Sequence, residues 1–401
     1  MSREYLGISS AQLETLGANH TAREIQDQPK QWINTYNLLL KQKEQLVKFL
    51  TPVYSKEKIN VILTGAGTSA FIGTVLETTY QRHTGINTKA VPTTDLVTHP
   101  ELHFDKDRIT LLISFARSGD SPESIKAVTL GNEICGENIF HLIITCSPDG
   151  NLARLGESDD KYYAVILPPE TNDKSLAMTS SFTSMLLVGL LVARIKDIVN
   201  LEKQVYRLSE YGNYFIENYL SLLEEISKLD FKRAVFLGSG IFQGIAQESH
   251  LKLQELTDGR VICTYNTFLG FRHGPRAVVD DHTLIVYIFS NSKYVQKYET
   301  DLVNSLRSSN KGMYRIGVME SELKDIELDA ELAFSNDDIS IDEEFLTIVS
   351  VLPAQVLGFY KSINLGFEPD TPSKSGVITR IVEGVNLYPY TRLSEQINFK
   401  Q

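Results

Sequence analysis

The chain has 401 residues, enough for two or three domains; 42% of them are hydrophobic and 22% are charged. This composition is typical of a globular protein, and it excludes a disordered chain, a collagen and a disulfide-rich module. Because the net charge is −11, we expect no nucleic-acid partner, and any phosphate site must be built from local groups.

Cysteine usage and the start of the chain point to the cytoplasm. Cys135, Cys146 and Cys263 lie far apart, which argues against a zinc ribbon and a disulfide framework. Residues 1–15 show no basic region followed by an apolar core, so no signal peptide is predicted. The apolar stretch 185–199 carries three charges and is too short to span a bilayer. We expect it to form a buried helix, and we expect no membrane partner.

Helices are predicted for the first 50 residues. Thr21 and Glu24 have the spacing of a capping box, in which two side chains satisfy the free N–H groups at a helix start. Pro29 lies near the start of a second helix, which we expect to run to about Phe49.

Continuous apolar strands follow, each separated from the next by a helical stretch. This alternation is typical of parallel βαβ units whose sheet is covered by helices on both faces. The predicted strands lie at residues 60–64, 110–116, 141–145 and 164–168 in the first half, and at residues 234–238, 283–288 and around 316 in the second.

The second half repeats the first at a constant offset of 173 residues. The matching pairs are Gly65 with Gly238, Thr110 with Thr283, and Ile143 with Ile316. Three strands in one register indicate two copies of one α/β domain that have divided the chemistry between them. The predicted organisation is a helical segment (1–50), a first domain (51–205), a second domain (206–385) and a tail (386–401).

Two hydroxyl-rich loops follow neighbouring strands of the first half. Thr68 and Ser69 follow a Gly-Ala-Gly turn at a helix N-terminus, where free N–H groups favour an anion. One strand further on, the next loop supplies Arg117, Ser118 and Ser121. Since ligands bind at the carboxyl ends of strands in open α/β sheets, the two loops together predict a site for one phosphate monoester. The alternative is that these residues only cap helices.

Two other kinds of site compete with this interpretation. The Gly-Ala-Gly turn also begins a dinucleotide-binding pattern, but the acid that would hold the ribose, Asp95, comes late and follows a proline. Residues 99–103 and 280–282 contain histidines and acids, but neither segment has the spacing of a helical metal motif. We therefore predict no metal and no cofactor.

The second half supplies charged residues that could carry acid–base chemistry. Lys252 and Glu255 lie three residues apart on a predicted helix and share one face, and His273 lies in a tight turn. A carboxylate and an imidazole near a phosphate site are what aldose–ketose chemistry requires. The alternatives are a surface ion pair for Lys252 and Glu255, and a structural loop residue for His273.

These motifs resemble the SIS (sugar isomerase) superfamily, at residues 61–69, 114–123, 251–256 and 271–275. Further segments are similar to the AgaS-type group, which contains galactosamine-6-phosphate deaminases and tagatose-6-phosphate ketose/aldose isomerases; they lie at residues 21–32, 91–97, 177–181 and 369–376. The resemblance covers nearly the whole chain. It implies two tandem SIS domains, each a flavodoxin-like three-layer sandwich with a parallel sheet flanked by helices, after an N-terminal helical segment.

The resemblance also implies roles for single residues. Ser69, Ser118 and Ser121 match hydroxyls that contact the phosphate. Thr68 and Arg117 complete the predicted phosphate-binding set. Ala177, Thr179 and Ser180 match a segment that lines the sugar. Lys252 and Glu255 match the lysine and base of glucosamine-6-phosphate synthase, and His273 matches its ring-opening histidine, which there comes from the other subunit.

The expected function is therefore that of a galactosamine-6-phosphate deaminase/isomerase that releases tagatose 6-phosphate and ammonia. Its partner is a small sugar phosphate, and the resemblance implies a homodimer or tetramer with its active site at the subunit interface. Two alternatives stay open. One is isomerisation of tagatose 6-phosphate without deamination, and the other is a sensor that binds sugar phosphates without turnover.

Overall fold

The computed structural model describes residues 4–156, 159–307, 312–337, 339–380 and 384–391. Its framework is an α/β fold with two five-stranded sheets, preceded by a short antiparallel pair of strands, β1 (Glu4–Tyr5) and β2 (Ile8–Ser9). The first sheet contains β3 (Ile59–Thr64), β4 (Asn87–Ala90), β5 (Ile109–Ala116), β6 (Ile139–Thr145) and β7 (Tyr162–Ile166). The second contains β8 (Arg233–Gly238), β9 (Ile262–Asn266), β10 (Thr283–Ile288), β11 (Tyr314–Met319) and β12 (Ala330–Ala333).

Both sheets have the same strand order. The first runs β4-β3-β5-β6-β7 and the second β9-β8-β10-β11-β12, and every neighbouring pair of strands is parallel. In each sheet the first strand therefore lies between the second and the third. The loops after the first and third strands are thus neighbours at one edge of the sheet, which is the usual ligand position in such folds.

Fifteen α-helices are described in the parts of the chain given above. The first eight are α1 (Ser10–Thr15), α2 (Asn19–Gln26), α3 (Gln28–Lys41), α4 (Lys43–Tyr54), α5 (Thr68–Thr84), α6 (Thr93–Thr98), α7 (Pro122–Cys135) and α8 (Asn151–Leu155). The others are α9 (Ser180–Ala193), α10 (Glu202–Ser227), α11 (Phe242–Leu256), α12 (Phe268–Phe271), α13 (Lys293–Arg307), α14 (Glu343–Val349) and α15 (Leu352–Asn364).

The two sheets share one central hydrophobic core. Helices α5 and α9 cover the inner face of the first sheet and pack toward α11 and α15, which cover the inner face of the second. Helices α6, α7 and α8 cover the outer face of the first sheet, and α12 and α13 cover that of the second. The layout brings the first helix of each half, α5 and α11, into direct contact.

A glycine permits the close crossing of α5 and α11. A Cβ at Gly244 would lie 2.6 Å from Val75 Cγ2 and 2.9 Å from the Val75 backbone nitrogen, distances that real Cβ atoms do not adopt. The residues that follow Gly244 on α11 therefore run along the N-terminal turn of α5, which positions the candidate site.

Core helices explain the two most apolar segments of the sequence. Every residue of α9 is buried, but the buried helix predicted for residues 185–199 ends at Ala193; Ile195–Leu201 form a 3-10 helix in which Lys196, Asp197 and Val199 are exposed. The stretch Glu343–Asn364 is long and apolar enough to cross a membrane, but 94% of its most apolar window is buried inside the protein. Both therefore have the environment of core helices.

The N-terminal prediction needs two corrections. Thr21 lies inside α2 rather than at its start, and its hydroxyl donates to Asp370 Oδ1 at 2.7 Å, so it forms no capping box with Glu24. The helix expected to run to Phe49 is two helices, α3 and α4, which meet at Gln42. Thr21 is therefore held by a contact with Asp370, far along the chain, rather than by local capping.

Three strands of the two five-stranded sheets were not predicted, and all three are edge strands; the short pair β1 and β2 was not predicted either. The three edge strands are β4, β9 and β12. An edge strand is paired on one side only, and these three are four or five residues long. They therefore lack the continuous apolar run that marks the central strands.

Candidate active site

The first glycine turn lies where β3 ends and α5 begins. Thr68 and Ser69 are the first two residues of α5, and both are buried. A Cβ at Gly65 would lie 2.6 Å from the backbone of Ser69, so the turn requires glycine. The Ser69 hydroxyl donates to Met178 Sδ at 3.9 Å, which joins this turn to the predicted sugar-lining segment.

The second loop joins β5 to α7. Ser121 is the N-cap of α7, and its hydroxyl accepts the backbone N–H of Ser124 at 3.2 Å. Ser118 Oγ accepts the backbone N–H of Asp120 at 3.3 Å. Ser121 therefore makes the helix-capping contact of the alternative interpretation and Ser118 makes a local turn contact, and a phosphate contact by either remains a prediction.

Arg117 is used differently from the prediction. Its guanidinium is buried and donates to the carbonyls of Ser175 at 3.1 Å, Leu176 at 3.0 Å and Arg380 at 2.7 Å. Burial lowers the pKa of Arg117, while the nearby Asp173 opposes that effect. Through these contacts Arg117 joins its own loop to residues 175–176 and to Arg380. None of the contacts described directs a guanidinium N–H toward a phosphate.

Lys252 connects the two halves of the chain. Its Nζ donates to Glu255 Oε2 at 2.6 Å and to Thr68 Oγ1, across the α5–α11 contact, at 3.1 Å. Its side chain is only 1% exposed, so the alternative of a surface ion pair is wrong. The Glu255 side chain is 23% exposed, which leaves the carboxylate open to a ligand.

Glu248 is the charged residue of this cluster that sequence reasoning passed over. Its carboxylate is fully buried, with Oε1 3.3 Å from Lys252 Nζ. Burial raises the pKa of Glu248 to about 8, against the opposing pull of Lys252. The available signal was spacing, since Glu248, Lys252 and Glu255 lie at i, i+4 and i+7, the repeat of one helix face.

The lysine stays charged because two carboxylates face it. Burial by itself lowers the pKa of Lys252, but Glu248 and Glu255 outweigh that effect, so the pKa is raised above its usual range. Two carboxylates against one ammonium can retain an extra proton near neutral pH. The cluster can therefore hold and move a proton beside the N-terminus of α5.

The third predicted segment precedes α9. Ala177, Thr179 and Ser180 are all buried, and the Asp173 carboxylate accepts hydrogen bonds from Thr179 and Ser180. Asp173 Oδ2 accepts the backbone N–H of Thr179 at 2.8 Å, and Oδ1 accepts that of Ser180 at 3.1 Å. With Met178 against Ser69, the segment lies beside the first glycine turn, and a role in lining a sugar stays a prediction.

Among the described residues, no hydrogen bond or ion pair joins His273 to the lysine cluster. It lies in an exposed turn after α12, and its backbone N–H donates to the Gly270 carbonyl at 3.0 Å. Within the described ranges, the structure gives its ring no hydrogen bond or ion pair. Its neighbour Arg272 is tied to Asp301 on α13 at 2.7 Å, so the turn is anchored while the imidazole faces outward.

The cavity and side-chain clusters described next do not coincide with the predicted site residues. A cavity of about 720 Å³ lies between α6, α7 and residues 385–391, and none of the predicted site residues line it. Among the described residues, no group of three or more His, Cys, Asp and Glu side chains could hold a metal ion. The three cysteines are free thiols. The predicted tail reaches beyond the described residues, because positions 392–401 lie outside them.

Comparison with known proteins gives a consistent set of relatives. Residues 54–194 match the SIS domain model. A protein of Shewanella sp. (strain ANA-3) named D-galactosamine-6-phosphate deaminase AgaS is 38% identical over 388 residues, which cover 96% of each chain.

Solved structures extend the similarity to the fold. A Clostridium novyi NT protein has a TM-score of 0.93 at 39% identity, with 97% of this chain and 100% of that chain covered. A tagatose-6-phosphate ketose/aldose isomerase from Escherichia coli has a TM-score of 0.86 at 36% identity, with coverages of 93% and 97%. This chain is therefore similar to these proteins over almost its full length.

Proposed function

The chain belongs to the AgaS family of SIS-domain proteins, and we propose that it converts galactosamine 6-phosphate into tagatose 6-phosphate and ammonia. The observation that carries the proposal is the ion pair between Lys252 and Glu255, held against Thr68 at the phosphate-type turn of the other half. A buried cation beside a partly exposed carboxylate suits proton transfer on a bound sugar.

The 6-phosphate would lie between the two loops of the first sheet. No described side chain caps the N-terminus of α5, so the positive end of the helix dipole and the Thr68 and Ser69 hydroxyls suit an anion. Ser118 and Ser121 would complete the site from the second loop. Arg117 would act indirectly, by holding that loop against residues 175 and 176.

The chemistry needs one proton transfer and one hydrolysis. With the ring opened by His273, Glu255 takes the proton from C2 while a water molecule protonates O1, which gives an enolamine and hydroxide. Return of the Glu255 proton to C1 gives a C1 alcohol and a C2 iminium ion. The hydroxide adds to the iminium carbon, the C–N bond breaks, and the products are the ketose and ammonia. Lys252 would order Glu255 and stabilise negative charge that develops at O1.

The two sheets fit a duplicated domain. Their strand orders are the same, and a Cβ at Gly238 would lie 2.4 Å from the Phe242 carbonyl, the counterpart of the close approach of Gly65 to Ser69. The proposal accordingly includes tandem SIS domains at 51–205 and 206–385 after a helical segment (1–50), a cytoplasmic location, and a homodimer or tetramer in which the partner supplies His273.

A second candidate is isomerisation without deamination, because the Escherichia coli relative with 36% identity is named a ketose/aldose isomerase. The deciding assay measures ammonia from galactosamine 6-phosphate, with glucosamine 6-phosphate, N-acetylgalactosamine 6-phosphate and tagatose 6-phosphate in parallel. Ammonia release from the galacto amine that is lost in Glu255→Gln supports the proposal. No ammonia, but an aldose phosphate from tagatose 6-phosphate, supports the isomerase. Binding without turnover would indicate a sensor.

Replacement of Glu248 by glutamine should lower the alkaline pH at which activity is lost. Above pH 8, ionised Glu248 helps to hold the proton on Lys252. Without that charge, burial makes Lys252 lose its proton earlier, so the falling limb of kcat/KM should move down by about one pH unit or more.

The measurement is kcat/KM for ammonia release from pH 6 to 11, because the raised pKa of Lys252 puts the falling limb of the parent at the alkaline end of this range. Glu248→Asp keeps the charge and serves as the matched control, so its alkaline limb should lie closer to that of the parent. An unchanged limb in Glu248→Gln would show that Glu248 does not control the charge of Lys252.

A further inference from the structure

A carboxylate from the N-terminal helices reaches the segment that precedes α9. Glu24 on α2 is nearly buried, and its Oε1 accepts the backbone N–H of Lys174 at 2.5 Å. Both of its oxygens lie 3.4 Å from the backbone nitrogen of Ser175, and the Ser175 hydroxyl hydrogen-bonds to Oε2. Glu24 thus holds the backbone just before the predicted sugar-lining residues.

A second buried carboxylate holds the other end of the same segment. Asp173 accepts hydrogen bonds from the backbone N–H groups and hydroxyls at the start of α9, five contacts in all: Thr179 N and Oγ1, Ser180 N, and Ser181 N and Oγ. Ionised Glu24 is repelled by Asp173 and attracted by Arg117, which are the charged groups of other segments that act on it. Arg380 lies beside Asp173, and its Nε donates to the Asp173 carbonyl at 2.9 Å.

The Ser175 hydroxyl has one proton and two acceptors. Its oxygen lies 3.1 Å from the Ala177 carbonyl as well as against Glu24 Oε2. If Glu24 is ionised, the single proton can satisfy only one of the two. If Glu24 carries a proton, the carboxyl donates to Ser175 Oγ and Ser175 donates to Ala177, so every partner is satisfied.

We propose that Glu24 is a positioning residue whose proton completes a relay through Ser175 to the Ala177 carbonyl and so fixes the sugar-lining segment for substrate binding. The relay connects α2, which lies outside both sheets, to the edge of the first. The proposal rests on the proposed function only in taking residues 177–180 to line the site of a sugar phosphate.

The protonation state of Glu24 changes near neutral pH. Burial, with the nearby Asp173 as a second cause, raises the pKa of Glu24 to about 7. Below that pH the relay is complete, and above it the carboxylate repels Asp173 and one hydrogen bond is lost. If only the protonated form binds well, the dissociation constant should rise by up to about tenfold for each pH unit above 7.

Glu24→Gln tests the relay because the amide resembles the protonated carboxyl. Its Nε2 can donate to Ser175 Oγ while Oε1 still accepts the Lys174 N–H. The ligand is galactitol 6-phosphate, an open-chain alcohol that cannot isomerise, and the dissociation constant is measured by calorimetry from pH 6 to 9. We expect tight binding by Glu24→Gln across this range, whereas the parent protein weakens above pH 7.

Two controls separate the relay from general damage. Glu24→Ala removes the contacts with Lys174 and Ser175, so this variant should bind galactitol 6-phosphate weakly at every pH. Glu299→Gln removes another buried carboxylate, whose pKa burial raises to about 8 but which lies in the second half against Ser290, and it should retain the pH dependence of the parent. The second ionisation of the ligand phosphate is common to all variants and cancels in the comparison.

The outcomes are distinct. Equal pH dependence in Glu24→Gln and the parent would overturn the relay while leaving a sugar-phosphate site intact. Absence of binding by every variant at every pH would overturn the proposed function, and the relay with it. Turnover of galactosamine 6-phosphate, followed in parallel, should show the effect of Glu24→Gln in KM rather than in kcat, which a loss of folded protein would not produce.

Discussion

Replacement of Glu255 by glutamine is expected to lower kcat for ammonia release by about 100-fold or more and to leave KM nearly unchanged. The amide keeps the size of the side chain and can still accept the hydrogen bond that Lys252 Nζ donates to Oε2 over 2.6 Å. It cannot take a proton from C2. Because the contact with Lys252 survives, a lower rate would reflect loss of the base rather than loss of the site.

The same variant should remove exchange of the C2 proton. Substrate deuterated at C2 should react more slowly than normal substrate in the parent protein, because breaking that bond is the step assigned to Glu255. Glu299→Gln is the matched control, since it also replaces a buried carboxylate in the second half and should retain normal turnover. Unchanged kcat in Glu255→Gln would exclude Glu255 as the base.

The central strands could be predicted because their signal is local. A parallel strand with both faces covered is a continuous apolar run, and β5 and β10 were found on that pattern. The repeat added a second, independent signal, and the matching strand orders agree with it. The edge strands β4, β9 and β12 lack that apolar run, whereas the edge strand β7 has one at Ala164–Ile166 and was predicted.

The composition of the site was predictable, but its contacts were not. Lys252 and Thr68 are 184 residues apart, and no local pattern shows that α5 and α11 cross there. Gly244, the small residue that permits the crossing, can be read from the sequence, but the sequence does not show that it packs against Val75. The burial of Lys252, which excludes a surface ion pair, is therefore a property of tertiary packing.

Residue type also does not determine where a side chain points. Arg117 lies in a loop rich in hydroxyls, and its charge suggested a phosphate ligand. The guanidinium instead satisfies three backbone carbonyls of segments that are distant in sequence, one of them 263 residues away. The capping box predicted for Glu24 is wrong for a similar reason, because its actual partners, Lys174 and Ser175, are remote in sequence.

The second large effect is expected from mixing two inactive proteins. If His273 serves the active site of a neighbouring subunit, an equal mixture of Glu255→Gln and His273→Gln should regain about a quarter of the parent activity. A working site needs Glu255 from one chain and His273 from the next, and each is intact with a chance of one half. This expectation is the same for a dimer and for a tetramer assembled from such pairs.

A control for the mixing experiment comes from the structure. Lys252 and Glu255 lie on one helix of one chain, with Nζ and Oε2 2.6 Å apart. A mixture of Glu255→Gln with Lys252→Met therefore contains no chain in which both groups are intact, and it should stay inactive. Subunit exchange is verified by mass spectrometry of both mixtures, so that a lack of recovery cannot come from a lack of mixing.

The exposed turn after α12 is the reason to expect recovery. An imidazole that opens a sugar ring must reach O5 or O1 of the substrate, yet within the described ranges His273 faces outward with its ring unpartnered. The turn is anchored through Arg272 and Asp301, so presentation to a neighbour needs no rearrangement of the chain. No recovery in the Glu255→Gln and His273→Gln mixture, with exchange demonstrated, would place both residues in one subunit and require the turn to move toward α11.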